Sequence, residues 1–348
     1  MKQLFIRADS TAHIGTGHVM RCLALAQAWQ DQGGEVSFIS HCESDALRQR
    51  LIDERMNFIN ISKPHPDPSD LEQTLNILSA KNHQPSANCW LVVDGYHFDA
   101  GYQKRIKEAG YKFLWIDDYG HADHYYADLV LNQNICADET FYTYRKPYTR
   151  LLLGTRYALL RREFKKWQDW QREIPETAIN VLVTMGGGDP DNVTMKVVQA
   201  LKQINIKGLK AKIIVGPANP NLRVLKEEIG NNANFQIVTN ATNMPELMAW
   251  ADVAVSAGGS TCWEMALLGL PNIIMYFADN QRPIAEKLHE YGAALCMGWS
   301  HQLTIEGIKQ CIEDMLLSKK RRSGYSIKSQ DLVDGKGAQR VCCEILAE

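Results

Sequence analysis

The stretch "RADSTAHIGTGHVMRCLALAQAW", from Arg7 to Trp29, joins the end of a predicted strand, a turn of small residues and the start of a helix. The helix prediction rests on apolar residues three and four positions apart, namely Val19, Cys22, Leu23, Ala26 and Trp29. The pair Gly33–Gly34 predicts where this helix stops. A strand that leads through a glycine-containing turn into a helix is the opening unit of a parallel α/β sheet.

Strands and helices continue to alternate on both sides of a charged, tryptophan-rich segment at residues 161–176. The run "NCWLVVDGY" is apolar without alternation, which is typical of a strand buried on both faces of a parallel sheet. The sequence therefore predicts an α/β protein with two Rossmann-like, doubly wound domains at residues 1–160 and 177–330. We expect residues 161–176 to connect them and a C-terminal helix within 331–348 to pack near the domain junction.

The composition excludes several classes of protein. A chain of 348 residues with 45% hydrophobic residues, 22% charged residues and a net charge of -2 is typical of a globular protein without an affinity for nucleic acid. No apolar run reaches the length of a membrane helix, and the N-terminus lacks the features of a signal peptide, so we expect a cytoplasmic protein. Nine scattered cysteines predict reduced thiols, and the basic run Lys319–Arg322 predicts a solvated helix end. The oligomeric state is not indicated.

The turn Gly15-Thr16-Gly17-His18 is the first candidate site. It is not a dinucleotide fingerprint, because Met20 occupies the position of the third small residue, and it is not a P-loop, because no lysine follows. Its glycines allow a ligand close to the backbone, and the positive end of the helix favours a neutral, base-competent imidazole. Either His18 is a catalytic base, or it is a capping or merely exposed residue.

Two glycine-rich loops follow strands in the second half. Gly187, Gly188 and Asp189 lie in "MGGGDPDN", where a phosphate or sugar contact competes with a simple flexible turn. The second loop, "SAGGSTCWE", offers backbone N–H groups and hydroxyls as an anion cradle. Its candidate ligands for a diphosphate are Ser256, Gly258, Gly259, Ser260 and Thr261. Glu264, one turn into the following helix, is a candidate partner for ribose hydroxyls.

Polar residues at further strand ends complete the candidate substrate site. Asn280 and Gln281 follow "IIMYFAD", and their amides suit sugar hydroxyls. In the first half, Asp94, Tyr96 and the pair Asp117–Asp118 lie after successive strands. Their carboxylates either orient His18, bind sugar hydroxyls or cap helices. Arg21, in the first helix, is a further candidate substrate ligand. His121 and His124 have a metal-like spacing without supporting carboxylates, so the sequence predicts neither a metal nor a cofactor.

Several of these motifs, taken in order, resemble one known family. "IRADSTAHIGTGHVMRCLALA", "LVVDGYHFD", "WIDDYGH", "DLVLNQN", "LLLGTRYALLRREF", "VTMGGGDPDN", "VSAGGSTCWEMALLGLP" and "DLVDGKGAQRV" are similar to the hydrolases that act on UDP-2,4-diacetamido-2,4,6-trideoxy-β-L-altrose in pseudaminic acid biosynthesis. The family is a hydrolytic relative of the GT-B glycosyltransferases. The resemblance implies two Rossmann-like domains that face each other across a cleft, with UDP held mainly by the C-terminal domain.

Carried onto this sequence, the resemblance implies that His18 is the catalytic base. It also implies that Gly258–Thr261 hold the diphosphate, Glu264 the ribose and Asn280–Gln281 the sugar side. The expected partners are a UDP-sugar and water, in a pathway that supplies flagellin glycosylation. A glycosyltransferase of the same fold, a UDP-sugar 2-epimerase and a non-catalytic nucleotide-sugar binding module remain alternatives.

Overall fold

The computed structural model describes residues 2–11, 14–80, 89–216, 219–239 and 241–348. The chain forms two compact units. The first unit contains the described residues up to Arg162 together with Lys336–Glu348, and the second contains Glu163–Gly335. Each unit has one parallel sheet covered by helices, so the predicted pair of Rossmann-like α/β domains is confirmed.

The first unit is built on a seven-stranded parallel sheet with the order β3-β2-β1-β4-β5-β6-β7. Its strands are β1 Gln3–Ala8, β2 Glu35–Ser40, β3 Asn57–Asn60, β4 Cys89–Asp94, β5 Lys112–Ile116, β6 Leu129–Asn132 and β7 Arg150–Leu153. Its helices are α1 Gly17–Gln30, α2 Asp45–Asp53, α3 Pro68–Ala80 and α4 Ala100–Glu108. Short 3-10 helices lie at Glu139–Tyr142 and Thr155–Tyr157.

The second unit has a six-stranded parallel sheet with the order β10-β9-β8-β11-β12-β13. Its strands are β8 Asn180–Thr184, β9 Lys210–Val215, β10 Phe235–Thr239, β11 Val253–Ala257, β12 Asn272–Tyr276 and β13 Leu295–Trp299. Its helices are α5 Val193–Lys202, α6 Leu222–Ile229, α7 Met244–Trp250, α8 Thr261–Leu267, α9 Arg282–Tyr291, α10 Ile305–Leu317 and α11 Lys319–Gln330. The 3-10 helices Arg162–Trp167, Asp279–Gln281 and Ser300–Gln302 complete the elements along this part of the chain.

The last helix, α12 (Gly337–Ala347), packs on the first unit. Its apolar residues Val341, Cys342 and Ile345 join the same core as α1. Because α12 covers the face of α1 that points away from the sheet, α1 is buried over most of its length, including Leu25. A Cβ atom at Gly337 would overlap the carbonyl oxygen of Ala158, so this position requires glycine for the close approach.

Most of the segment predicted as a connection, residues 163–176, lies in the second unit. The Arg172 guanidinium donates hydrogen bonds to the carbonyl oxygens of Met248, Ala251 and Leu268, at 2.8, 2.5 and 3.0 Å. Burial lowers the pKa of Arg172 to about 10. Along the chain, the first unit gives way to the second at 162/163, two residues beyond the predicted end of the first domain, and resumes at 335/336, inside the predicted C-terminal segment.

The expectation of a solvated basic run at residues 319–322 is wrong at its last position. The first three side chains are exposed, but Arg322 is fully buried. Its guanidinium donates to the carbonyl oxygens of Met315 and Leu316, at the end of α10, and of Pro175 and Glu176. Arginine can satisfy several carbonyl groups at once because its planar fork carries five N–H donors.

Both sheets change their direction of winding at one pair of neighbouring strands. In the first unit this pair is β1 and β4, and in the second it is β8 and β11. In open α/β sheets, ligands bind beyond the carboxyl ends of the strands at such a switch point. The ends of these four strands and the turns and helix starts that follow them carry His18, Asp94–Tyr96, Gly187–Asp189 and Gly258–Thr261.

Candidate functional site

The loop between β1 and α1 delivers His18 to the carboxyl edge of the first sheet. Gly15 has a φ of 76°, a conformation that strains other residues, and its N–H donates to the Thr11 carbonyl at 2.9 Å. Helix α1 then begins at Gly17, and Thr16 precedes it without a side-chain cap. His18 therefore lies in the first turn of the helix, and it is almost fully buried.

The imidazole of His18 is held by the carboxylate of Asp94. His18 Nδ1 lies 2.7 Å from Asp94 Oδ1, and Asp94 is the last residue of β4 and fully buried. Arg21 also approaches His18 Nδ1, at 3.2 Å, but an arginine has no acceptor to offer. The shorter contact with Asp94 thus assigns the Nδ1 proton, which leaves the Nε2 lone pair as the basic position.

Arg21 links Asp94 to a second carboxylate. Its Nε and one terminal nitrogen donate to Asp94 at 2.7 and 2.6 Å, and the other terminal nitrogen donates to both oxygens of Asp118 at 2.8 and 2.9 Å. Burial raises the pKa of Asp94, but the positive charge of Arg21 and the contact with His18 outweigh it and hold that pKa well below its ordinary value. Asp94 and Arg21 contact His18 directly, and Asp118 joins them through Arg21, so the group beside the imidazole combines one guanidinium with two carboxylates.

Asp118 extends this network to two further residues. Tyr96 donates its hydroxyl to Asp118 Oδ2, and its ring lies edge-on to the His18 ring with centroids 4.7 Å apart. Asn134 donates to Asp118 Oδ1 at 2.6 Å, and Asn132 donates to the Asp118 carbonyl oxygen at 3.0 Å. The two asparagines were missed by sequence reasoning, although Asn132 ends β6 and Asn134 follows it closely.

Asp117, the neighbour of Asp118, has a structural role. Its Oδ1 accepts from the backbone N–H groups of Asp118, Tyr119 and Gly120, and its Oδ2 accepts from Tyr125. Burial raises the pKa of Asp117, but the contact with His121 and these hydrogen bonds lower it to about 2. Of the two adjacent carboxylates, Asp118 contacts the His18 network and Asp117 fixes the loop.

In the second unit, the acidic residue of the loop after β8 binds backbone N–H groups of the helix that follows. Asp189 is buried at φ 52°, and its carboxylate accepts from the N–H groups of Val193 and Thr194 at 2.7 and 3.0 Å. The first amides of α5 are thus satisfied by the chain itself. Gly187 contacts Gly216 so closely that a Cβ on Gly216 would overlap it, and Gly188 is half-buried. The structure shows a capped turn, and a substrate contact of Gly187, Gly188 or Asp189 stays a prediction.

The loop after β11 contacts the loop after β12. A Cβ on Gly258 would overlap the Gln281 carbonyl oxygen, so two predicted site residues come together here. The space around Gly259 is open, with no atom within 4 Å of an added Cβ. Ser256 lies deeper, within β11, where its hydroxyl donates to Asn272 at 2.9 Å.

The remaining predicted residues flank this loop pair. Ser260 precedes α8, Thr261 begins it, and Glu264 lies half-buried in its first turn. Asn280 and Gln281 form the short 3-10 helix that leads into α9. The side-chain oxygen of Gln281 accepts from the Phe277 N–H at 3.1 Å, which fixes the turn after β12.

The described part of the chain shows no group of three or more His, Cys, Asp or Glu side chains placed to hold a metal ion. Within the same residues, no helix combines the length and apolarity needed to cross a membrane. Among the described residues no disulfide bond joins the cysteines, and Cys343 is exposed. The side chains of the first site supply an imidazole, two carboxylates and a guanidinium.

Comparison with known proteins agrees with this arrangement. Residues 180–340 match the glycosyltransferase family 28 C-terminal domain. The UDP-2,4-diacetamido-2,4,6-trideoxy-beta-L-altropyranose hydrolase of Campylobacter jejuni is 28% identical over 298 residues, which cover 84% of this chain and 97% of that protein. The spore coat polysaccharide biosynthesis protein SpsG of Bacillus subtilis is 26% identical over 338 residues, covering 97% of this chain and 95% of its own. The resemblance predicted from the motifs is confirmed.

A solved structure shows the same fold. MurG of Acinetobacter baumannii superposes with a TM-score of 0.65 at 16% identity, and the alignment covers 100% of both chains. Together with the two parallel sheets, this match confirms the GT-B-like fold class.

The structure brings several of the predicted site residues together. In the first unit, one connected cluster contains His18, Arg21, Asp94, Tyr96 and Asp118. In the second unit, Gly258 contacts Gln281.

Proposed function

We propose that this chain hydrolyses a UDP-linked 2,4-diacetamido-2,4,6-trideoxy sugar to the free sugar and UDP. The hydrolase of Campylobacter jejuni, similar over most of both chains, supports an enzyme that acts on a UDP-sugar. The glycosyltransferase family 28 domain at residues 180–340 supports the same general activity. We propose in addition that the acceptor of the glycosyl group is water, and not a second sugar or a lipid.

The observation that carries this proposal is the His18–Asp94 pair. With its Nδ1 proton donated to Asp94 at 2.7 Å, the imidazole presents Nε2 as a general base. In the proposed step, a water oxygen attacks C1 of the sugar while its proton passes to Nε2. The bond between C1 and the diphosphate oxygen breaks, UDP leaves with the electron pair, and the configuration at C1 inverts.

The surrounding charges suit this proton transfer. Protonation of His18 creates a cation next to Asp94, which its environment keeps ionised. Arg21 prevents the two carboxylates from repelling each other and fixes the plane of Asp94 by a two-point contact. Asp94 and Arg21 are thus positioning residues that act through His18, and neither needs to touch the substrate.

For the UDP moiety, the loops after β11 and β12 are better placed than the loop after β8. Asp189 already satisfies two amides at the start of α5, which weakens that end as an anion site. Around Gly259 the backbone is open, and Ser260 and Thr261 add hydroxyls. We therefore assign the diphosphate to Gly258–Thr261, the ribose to Glu264 and the sugar side to Asn280–Gln281.

The test is turnover without any acceptor. The purified chain is incubated with UDP-2,4-diacetamido-2,4,6-trideoxy-β-L-altrose, and UDP and sugar are followed by NMR, which also reports the anomer first formed. We expect complete release of both products and a kcat for His18→Asn that is lower by roughly 10²- to 10⁴-fold. His301→Asn, at an exposed position of the second unit, is the matched control and should retain the wild-type rate.

Each alternative gives a different result. A glycosyltransferase would release little free sugar until an acceptor is added, and a binding module would bind UDP without turnover. A 2-epimerase would change the configuration at C2 of the product. A near-normal kcat for His18→Asn would remove the assignment of the base.

A further inference from the structure

A cluster of aromatic side chains lies beside His18. The ring of Tyr96 contacts His18 and also the rings of Tyr119 and His121, whose centroids lie 5.3 and 5.8 Å from that of Tyr96. Tyr119 and His121 also contact each other, at 5.7 Å. We call Tyr96, Tyr119 and His121 the aromatic wall. The aromatic wall begins at His18, the proposed base, so a sugar bound at His18 would lie next to the wall.

Two members of the wall are fixed by other contacts. The Tyr96 hydroxyl donates a hydrogen bond to Asp118. The His121 side chain is 8% exposed, stacks on Trp115 with centroids 5.6 Å apart and lies 3.3 Å from Asp117. A rigid aromatic surface costs little conformational entropy when a ligand binds to it.

Tyr119 is the member that reaches solvent. It is 43% exposed, whereas its backbone N–H is anchored on Asp117 at 2.9 Å. Single exposed aromatic residues are ordinary on protein surfaces. Tyr119 differs from such residues because its ring continues a surface that ends at His18.

An aromatic ring face favours apolar groups over hydroxyls. A hydroxyl placed against it loses its hydration without gaining a good partner, whereas a methyl group gains contact area. Small-molecule sites combine such apolar walls with a few polar groups, here the His18 network. Of the groups on the proposed sugar, the C6 methyl and the two acetamido methyls suit the wall.

On the basis of the proposed function, we infer that Tyr119 determines specificity for the deoxygenated sugar, with its exposed ring face packing against the C6 methyl group. The contact exists in the ground state as well as during the reaction, so it contributes mainly to KM. A sugar that carries a hydroxyl at C6 would lose this contact and would be a poorer substrate.

The experiment compares two substrates that differ only at C6. One is UDP-2,4-diacetamido-2,4,6-trideoxy-β-L-altrose, and the other is the analogue with a C6 hydroxyl. For the Tyr119→Ala variant we expect the ratio of kcat/KM values, deoxy over hydroxy, to fall roughly tenfold, mainly through KM for the deoxy sugar. Tyr119→Phe keeps the ring face and should keep the ratio. Tyr144→Ala removes a 73% exposed tyrosine outside the wall and is the matched control.

The outcomes separate this inference from the proposed function. If the ratio of kcat/KM values in Tyr119→Ala stays at its wild-type value, whether or not both values fall, Tyr119 has only a structural role. That result would overturn the inference, while the proposed hydrolysis would stand. A wild-type chain that turns over neither substrate would overturn the proposed function and this inference with it. Thermal unfolding of each variant shows whether the loop from Asp117 to His121 remains folded.

Discussion

Two networks of the same residue types lie at the carboxyl ends of neighbouring strands in the first unit. In one, His18 bonds to Asp94 and Arg21 bridges that carboxylate to Asp118. In the other, His97 bonds to Asp9 at 2.9 Å, and Arg7 bridges Asp9 to Asp70 with a contact of 2.7 Å to the second carboxylate. Asp94 ends β4, and Asp9 directly follows β1.

The exposed fraction of the imidazole does not separate the two networks, because it is 8% for His18 and 18% for His97. The two networks differ in the residues to which their second carboxylates connect. Asp118 leads to Tyr96 and so to the exposed Tyr119, whereas Asp70 is fully buried in α3. The Arg7 guanidinium lies under the Phe98 ring, 4.9 Å from its centroid, and Asp9 also accepts from the His41 N–H.

The difference teaches that a histidine–carboxylate pair becomes a candidate site only when its network reaches a surface that a ligand can occupy. In the His97 network, Arg7, Asp9 and Asp70 are all fully buried, so we assign this network to holding β1, β2, β4 and α3 together. We expect changes in the His18 network to affect catalysis first and changes in the His97 network to affect stability first.

The largest effect should come from neutralising the carboxylate that orients each histidine. Asp94→Asn removes the acceptor that fixes the Nδ1 proton of His18, and kcat should fall roughly 10³- to 10⁴-fold, as when a catalytic histidine is left in the wrong tautomer. Asp9→Asn should lower kcat far less. The measurement is kcat for UDP-sugar hydrolysis at saturating substrate.

Both variants must first be shown to be folded, by circular dichroism and by urea unfolding, because each leaves an arginine short of one partner. Equal losses of kcat in Asp94→Asn and Asp9→Asn would contradict the division between the two networks. It would mean that the His97 network is also part of the site.

The fold was predictable where apolar periodicity is regular. The β1-turn-α1 stretch and the alternation on both sides of residue 161 predict the two parallel sheets that the structure shows. The burial of Leu25 was not predictable from its own helix, because α12 covers that face from more than 300 positions away in the sequence. Arg322 was misassigned for a related reason, since its carbonyl partners lie on α10 and at Pro175–Glu176.

The site was predictable as a set of strand ends but not as a network. His18 and Asp94 are 76 positions apart, and the sequence alone left open whether Asp94 orients the histidine, caps a helix or binds sugar. Asn134 was missed although it obeys the same rule of polar residues after a strand. The role of Arg7 has no sequence signal, because its second carboxylate partner, Asp70, becomes a neighbour only when α3 packs near β1.

The second prediction concerns the buried charges of the His97 network. Arg7→Met leaves two fully buried carboxylates without their cation, and the free energy of unfolding should fall by about 3–5 kcal/mol. Arg150→Met is the matched control in the same unit: its side chain is 48% exposed and pairs with Glu344 and Glu348, so the loss should stay below about 1 kcal/mol. Urea unfolding measures both. A loss in Arg7→Met no larger than in the control would show that the network does not stabilise the fold.

The smallest effect is the pH dependence of that stability. Burial raises the pKa of Asp9, but His97 and Arg7 outweigh it and hold the pKa well below its ordinary value. A carboxylate of this kind stabilises the fold above its unfolded pKa of about 3.9, and the stabilisation is lost as the pH falls below it. Each such carboxylate adds at most about 1.4 kcal/mol per pH unit to the slope.

Asp9→Asn should therefore lower the free energy of unfolding at pH 7 and flatten its decline between pH 5 and 3, as measured by urea unfolding across that range. Asp123→Asn, at an exposed position, corrects for the change in net charge. Because Asp94 is also held ionised, some acid sensitivity should remain in Asp9→Asn. A slope identical to that of the wild type would mean that Asp9 takes up its proton at the same pH in the folded and unfolded chains, so that Arg7 and His97 do not hold it ionised.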